Sequence, residues 1–438
     1  MSAPNVTPAF YGPDNLRGLG AASNISAQST VVSMPFTSGI TVIPFDKCPF
    51  SDVVDAAFYK KQKPETKMAL ALLYEKSKGT DSKWKAYLDF LPAFFDTPAG
   101  WDKNEINNLQ YKPSIAEANR MAFEWQKIFG ELKATSPQFS VSYDDFCWSI
   151  QAVQSRLFSG PYTGRSLQSR AQLAGTLAVV AIIFVAIGAG TVSQVLNGFI
   201  SSILFNIIYD IFLSRQLKWY AMLPFVDLAN HKSGSLSEVS YQYFTNEFVL
   251  EVGHDYKEGD QVLIQYGEKT NDQLLAYYGF FEENNPIDTF IVSDFTSKLK
   301  ASGIEISDDR LNRLREFDVL SGIEEPQIAR NGFQKDTLQA VRILMASEND
   351  LQQGLANVAA KGSFGSELML YELLIKIAKA ELDLYPTTID QDVDLLKSSM
   401  KSSLSRRESL AIAFRTQKKK LLAEGIKNME KRSKTKRD

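Results

Sequence analysis

The chain has 438 residues, 44% of them hydrophobic and 23% charged, with a formal net charge of −3. That length implies two domains, the composition excludes a disordered chain, and the charge excludes a domain-wide basic field for nucleic acid. Two cysteines, Cys48 and Cys147, and two histidines exclude a disulfide framework and a His- or Cys-built metal centre, and imply free thiols in a reducing compartment.

The opening MSAPNVTPAFYGPDNLRG has no apolar stretch of a secretory signal and too little arginine for a transit peptide. Residues 14–45 alternate turn-forming Gly, Asn and Ser with β-branched runs, which predicts strands at 31–36 and 40–45. From residue 52 to about 160 the period becomes helical in KMALALLYEKSKG, KWKAYLDFL, IAEANRMAFEWQKIFGEL and YDDFCWSIQAVQSRLF. Ser142 and Asp144 are candidate caps of the last of these helices.

Residues 171–209 carry no charge and break at Gly188, Ala189 and Gly190. Each half approaches the roughly 20 residues that cross a bilayer, so one reading is a membrane hairpin with Arg170, Asp210 and Arg215 at its polar boundary. The other is a pair of buried helices, favoured by Ser193, Gln194, Asn197 and Asn206. Beyond residue 222, YQYFTNEFVLEV and QVLIQYG alternate as strands around the turn KEGD, with His254 in a surface turn. From residue 287 the period is helical to the end, an all-α domain. Its last stretch, 415–438, holds 10 Lys and Arg against 3 acids. That reads as a nuclear address, an RNA- or lipid-attracting patch, or a solvated helix end with a frayed tail.

The run DLANH, followed by GDQVLIQYG and EKTNDQLLAYYGF, resembles the C-terminal half of a SET domain. More narrowly, it resembles SET proteins related to the Rubisco large-subunit lysine methyltransferase and the actin-histidine methyltransferase. LRGLGAASNISAQSTVVSMP resembles the opening of that fold, DFCWSIQAVQSRLFSG its helix ending in a Ser-Arg pair, and SLAIAFRTQKKKLL the last helix of the substrate-binding domain. The resemblance spans nearly the whole chain except the apolar insert.

What the resemblance implies is an α+β protein: a SET β-fold with a helical insertion, then an all-α substrate-binding domain. The segments would be 1–48 and 214–285 for the two SET parts, 49–170 for the helical insertion, 171–213 for the apolar insert, 286–430 for the helical domain and 431–438 for a basic tail. It implies S-adenosylmethionine as cofactor, no metal, a protein substrate gripped by the helical domain, and a monomer in plastid or cytoplasm, with membrane association possible through 171–213. The implied activity is N-methylation of a lysine on a non-histone protein such as a plastid enzyme. The alternatives are histidine methylation, or a catalytically silent SET scaffold that binds a protein or tethers to a membrane.

Residue by residue, the resemblance makes Arg17, Gly18, Leu19 and Gly20 the cofactor turn through their main chain, with Arg17 where an acidic or polar residue is usual. Arg156 would reach the cofactor or the substrate carbonyl. Asp227, Asn230 and His231 would hold the cofactor's methionine and adenine parts, largely through the Asn230 amide and the main chain. Tyr266 would be the catalytic tyrosine and Tyr278 would line the methyl-transfer pore, both also touching the cofactor, and Phe280 would pack on adenine. Tyr277 and Tyr278 also read as plain core aromatics. Methyl transfer to an amine needs positioning, electrostatics and a neutral nucleophile, which a desolvated tyrosine-lined channel supplies for lysine.

Overall fold

The β-branched and glycine-rich stretches at the start of the chain form strands that later segments complete. The computed structural model describes residues 1–12, 15–42, 47–161, 167–208, 218–242, 245–352, 354–360, 364–399 and 404–435. The chain divides into two units. The first is Met1–Phe95 with Glu124–Glu268, and the second Asp96–Phe123 with Lys269–Asp438.

In the first unit the strands are β1 (Val6–Tyr11), β2 (Leu16–Ala21), β3 (Thr30–Pro35), β4 (Ile40–Val42), β5 (Leu157–Pro161), β6 (Lys218–Met222), β7 (Asn230–His231), β8 (Glu238–Gln242), β9 (Glu247–Glu251) and β10 (Gln261–Ile264). They form three sheets, ordered β1-β2-β10-β7, β3-β9-β8 and β4-β6-β5. The expected strand at 40–45 is described as far as Val42, and residues 43–46 lie outside the described residues. Leu19, Val31, Val32, Phe248, Leu250 and Val262 share one apolar core. Strand β10 shows why its pattern alternates: Val262 and Ile264 turn inward while Gln261 and Leu263 stay half-exposed. The helix Pro64–Ser77 buries Met68, Leu70, Leu72 and Leu73 and packs on the helix Tyr143–Arg156. Ser142 caps that second helix by accepting from the Asp145 amide at 3.0 Å. Asp144 is in its first turn rather than at the cap. His254 is exposed at a bend.

The apolar insert leaves from β5 and returns to β6, which are antiparallel partners from Leu157↔Met222 to Pro161↔Lys218. It forms two helices, Leu167–Ala186 and Val192–Ile208, that pack on each other. Among the described residues no helix is long and apolar enough to cross a membrane, which corrects the spanning reading. The second helix has 17 residues, about 26 Å at 1.5 Å per residue, against a hydrocarbon core of about 30 Å. Burial as ordinary core helices is corrected too, because Ile182, Ile187, Val192 and Phe205 are each about two-thirds exposed. Asp210 and Arg215, expected to mark the polar boundary, lie outside the described residues.

The second unit is mainly helical, with its core in Trp101, Leu109, Tyr111, Phe290, Leu374 and Phe414 among others. It departs from the sequence expectation in two ways. Residues 96–123 belong here rather than with the rest of 49–170, because helical periodicity shows which face is apolar but not which core will cover it. It also holds a small sheet, β11 (Phe290–Ile291), β12 (Gln327–Ala329) and β13 (Gly332–Phe333), where all-α was expected. The basic C-terminal stretch is not simply solvated. In the helix Arg406–Thr435, Arg415, Lys418 and Lys419 are buried. Lys418 Nζ pairs with Asp272 and with Asp288 at 2.8 Å, and donates to the Thr289 carbonyl at 2.8 Å. Lys419 and Arg415 share Asp392, at 2.6 and 2.7 Å.

Candidate active site

The expected site residues of the first unit gather where β2, β7 and the end of β10 meet the helix Tyr143–Arg156. β2 pairs with β1 along its full length, and β10 covers only Leu19 and Gly20 on its other side. Leu19 is a buried core side chain. Leu19 and Gly20 therefore lie inside β2 with strand partners on both sides, so this stretch is strand rather than turn. Beyond that point β10 pairs with β7 instead, which leaves Arg17 and Gly18, still in strand conformation, with β1 as their ladder partner. There the Asn230 side-chain amide donates to the Arg17 carbonyl at 3.0 Å.

Gly18 has a steric reason to be glycine. A Cβ at this position would sit 2.5 Å from Gln261 Nε2 and 2.9 Å from Asn230 Nδ2. Two side-chain amides thus crowd one stretch of main chain, and Gln261 Nε2 is buried with no hydrogen-bond partner. Gln261 was not singled out by sequence, since a polar residue at a strand's half-exposed position carries no signal of its own.

Asp227 sits in the short 3-10 turn Val226–Leu228. Phe225, just before it, has φ +76°, a backbone state that costs an aromatic residue on the order of 1–3 kcal/mol and persists only where surroundings enforce it. The Asp227 carboxylate is turned inward, 2% exposed. Its Oδ2 accepts from the Tyr87 hydroxyl at 2.7 Å and from Arg156 Nη1 at 3.1 Å, while Arg156 Nη1 also donates to the Asp227 carbonyl at 3.0 Å. The Asp227 Oδ2 is thus committed to two protein donors and shielded from solvent. Burial pushes the Tyr87 phenol well above its ordinary value, aided by the Asp227 charge. Burial also disfavours the Arg156 charge, but Asp227 outweighs it and holds the guanidinium above its usual value. Arg156 Nε remains buried with no partner, a donor of the kind a ligand satisfies. Arg17 lies over the Phe90 ring, 4.0 Å from its centroid. Burial and the nearby Arg156 charge lower its pKa.

His231 and Tyr266 form the other half of the site. The Tyr266 amide donates to His231 Nδ1 at 3.0 Å, which places the proton of a neutral imidazole on Nε2, 3.4 Å from the Ser233 hydroxyl. The two rings stand 5.2 Å apart. The Tyr266 hydroxyl donates to the Ala229 carbonyl at 3.0 Å, so the phenol is fixed against the strand that carries Asn230.

Tyr278 and Phe280 belong to the second unit. Tyr278 ends the helix Asn271–Tyr278, which Thr270 and Gln273 start with a capping box and Gly279 closes at φ +73°. The Tyr278 and Phe280 rings meet edge to face at 6.1 Å, and burial pushes the Tyr278 phenol up to about 12.

Comparison with known proteins agrees with this architecture. Residues 298–422 match the family described as Rubisco LSMT substrate-binding. The chain is 22% identical over 399 residues to the actin-histidine N-methyltransferase of Homo sapiens, covering 82% of this chain and 55% of that protein. It is 23% identical over 423 residues to a ribosomal lysine N-methyltransferase of Schizosaccharomyces pombe, covering 93% of this chain and 65% of that protein. This chain thus spans about half to two-thirds of the length of these curated relatives. The SET domain of LSMT bound to lysine and AdoHcy superposes with a TM-score of 0.66 at 20% identity, covering 100% of this chain and 89% of that one. Rubisco LSMT bound to AdoMet gives 0.65 at 20% identity. The fold is therefore that of a SET domain followed by a helical region of the LSMT type.

Proposed function

We propose that this protein transfers a methyl group from S-adenosylmethionine to a lysine side chain of a protein substrate. The observation that carries the reading is the Tyr266 phenol held on the Ala229 carbonyl, beside the Arg17 and Gly18 main chain that Asn230 engages. The SET fold and the match of residues 298–422 to a substrate-binding family support it. The buried orphan donors, Arg156 Nε and Gln261 Nε2, suit a ligand that brings carboxylate and hydroxyl oxygens. S-adenosylmethionine, when bound, supplies a methyl carbon on a sulfonium sulfur.

The rest is the work of the chain's own groups. Tyr266, its proton directed to a carbonyl, is suited to accept from an amine N–H and orient the nitrogen. Arg17 and Arg156 with one buried Asp227 leave an excess of positive charge, which disfavours a charged ammonium and favours the neutral amine that must attack. Cys48 and Cys147 are separate free thiols, which supports a reducing compartment such as plastid stroma or cytoplasm.

Histidine is the second acceptor, favoured by the likeness to actin-histidine N-methyltransferase. The two separate on pH and product. Lysine, with a reference pKa of about 10.4, gains neutral form steadily above pH 7, whereas histidine near 6.5 is already mostly neutral there. Full-length protein incubated with labelled methyl donor and a cell extract should yield methyllysine on hydrolysis, at a rate rising with pH above 7. Labelled methylhistidine with a flat profile would transfer the assignment to histidine. No label in protein would favour a silent scaffold.

A further inference from the structure

The helical hairpin Leu167–Ala186 and Val192–Ile208 takes no part in the site, yet it is the most apolar exposed surface described. Val179, Val180, Ile182, Ile183, Phe184 and Val185 are all well exposed. Consecutive helix positions lie about 100° apart, so this run is apolar around the whole circumference. A protein groove covers one face of a helix, whereas a helix apolar all round calls for an apolar medium.

Three further observations identify that medium. The apex hydrogen-bonds part of its own backbone. Gly188 and Ala189 amides donate to the Val185 and Phe184 carbonyls at 3.1 and 3.0 Å, and the Thr191 amide donates to Gln194 Oε1 at 3.0 Å. Ser202 turns its hydroxyl back to the Gly198 carbonyl at 2.8 Å. Two polar side chains of the hairpin, Gln194 and Ser202, are thus hydrogen-bonded within it. The sequence flanking the hairpin carries Arg165, Arg170, Arg215 and Lys218 against Asp210, a net positive charge of the sign that anionic headgroups attract. The β5–β6 ladder brings both ends together, so the hairpin enters and leaves on one side.

We infer that this hairpin inserts into an anionic lipid surface from one side without crossing it, anchoring the protein to a membrane. The test uses full-length protein floated through a density gradient with vesicles of phosphatidylcholine containing one quarter phosphatidylserine, or of phosphatidylcholine alone. The protein should float with the mixed vesicles and less well with the neutral ones. The variant Ile182→Ser, Ile187→Ser, Leu196→Ser, Phe205→Ser, altered only at exposed positions, should float at least tenfold less while still binding S-adenosylmethionine. A cysteine at the apex, Ala189→Cys, should be shielded from a membrane-impermeant maleimide on either side of the vesicle. Wild-type protein that stays in the dense fraction, as a monomer or a discrete homo-oligomer, overturns the proposal. So does a variant that floats like wild type, or labelling of Cys at the apex by reagent sealed inside the vesicles.

Discussion

Both units bury charge, but they do it differently. In the first, Asp227 is shared by Tyr87 and Arg156, and the same cluster leaves Arg156 Nε, with Gln261 Nε2 nearby in the same unit, without a partner. In the second, Lys418 donates to Asp272, Asp288 and the Thr289 carbonyl, while Arg415 and Lys419 converge on Asp392 and donate to the Asn108 and Thr387 carbonyls. Burial raises the Asp272 carboxyl despite its lysine, and the two aspartates hold Lys418 above its ordinary value against burial. Each charge of these two clusters has hydrogen bonds within the fold. A buried ion pair by itself says little about function; buried donors left over in a cluster point to a ligand.

The largest expected effect breaks the closed cluster. Asp392→Ala leaves Arg415 and Lys419 buried without their counter-charge, and should destabilise the protein by about 3–5 kcal/mol in denaturant unfolding. S-adenosylmethionine affinity of the folded protein should not change. Burial alone would raise Asp392, but hydrogen bonds from Arg415 and Lys419 overturn it and hold the carboxyl below the usual range. A depressed carboxylate stabilises above its unfolded value of about 3.9, and that stability is lost as pH falls through the lower folded value. Wild type should therefore lose stability below about pH 4, and the variant should show less of that loss.

The next effect is on rate. Tyr266→Phe removes the hydroxyl on the Ala229 carbonyl and should lower methyl transfer on the order of 10²-fold. Cofactor affinity should stay within a few fold, and an undiminished turnover number would remove Tyr266 from the reaction.

Tyr87→Phe sharpens the comparison, because it strips one donor from Asp227 without touching the ligand side. A hydrogen bond to a charged group contributes about 1.5–3 kcal/mol, so stability should fall by that order. If Tyr87 positions Arg156, cofactor affinity should weaken as well. A stability loss with unaltered affinity would make this cluster as purely structural as that around Asp392.

Asn230→Ala should have the mildest effect on the fold and still weaken S-adenosylmethionine binding by about 1–3 kcal/mol. Unchanged affinity by calorimetry would show that the amide serves only the Arg17 carbonyl.

Much of this protein was legible from local pattern. The alternation of Val262 and Ile264, the Ser142 cap and the placement of Tyr266 at the end of a strand follow from periods and turn chemistry that act over a few residues. The insert's division into two helices at Gly188 was legible as well, while its return to the starting point rests on the β5–β6 ladder. Partnerships across distance were not. Tyr87 is 140 residues from Asp227 and Arg156 is 71, and nothing in KWKAYLDFL distinguishes a phenol that meets a carboxylate from one that fills a core. The C-terminal lysines misread in the same way: Lys418 and Lys419 look solvated until the aspartates at 272, 288 and 392 are brought against them. Local sequence determined where strands, helices and caps form, because those depend on neighbouring dihedrals and side chains. Which charges are neutralised, and which donors are left for a ligand, was decided only by tertiary structure, because electrostatic and hydrogen-bond satisfaction depend on what the fold brings within about 3 Å.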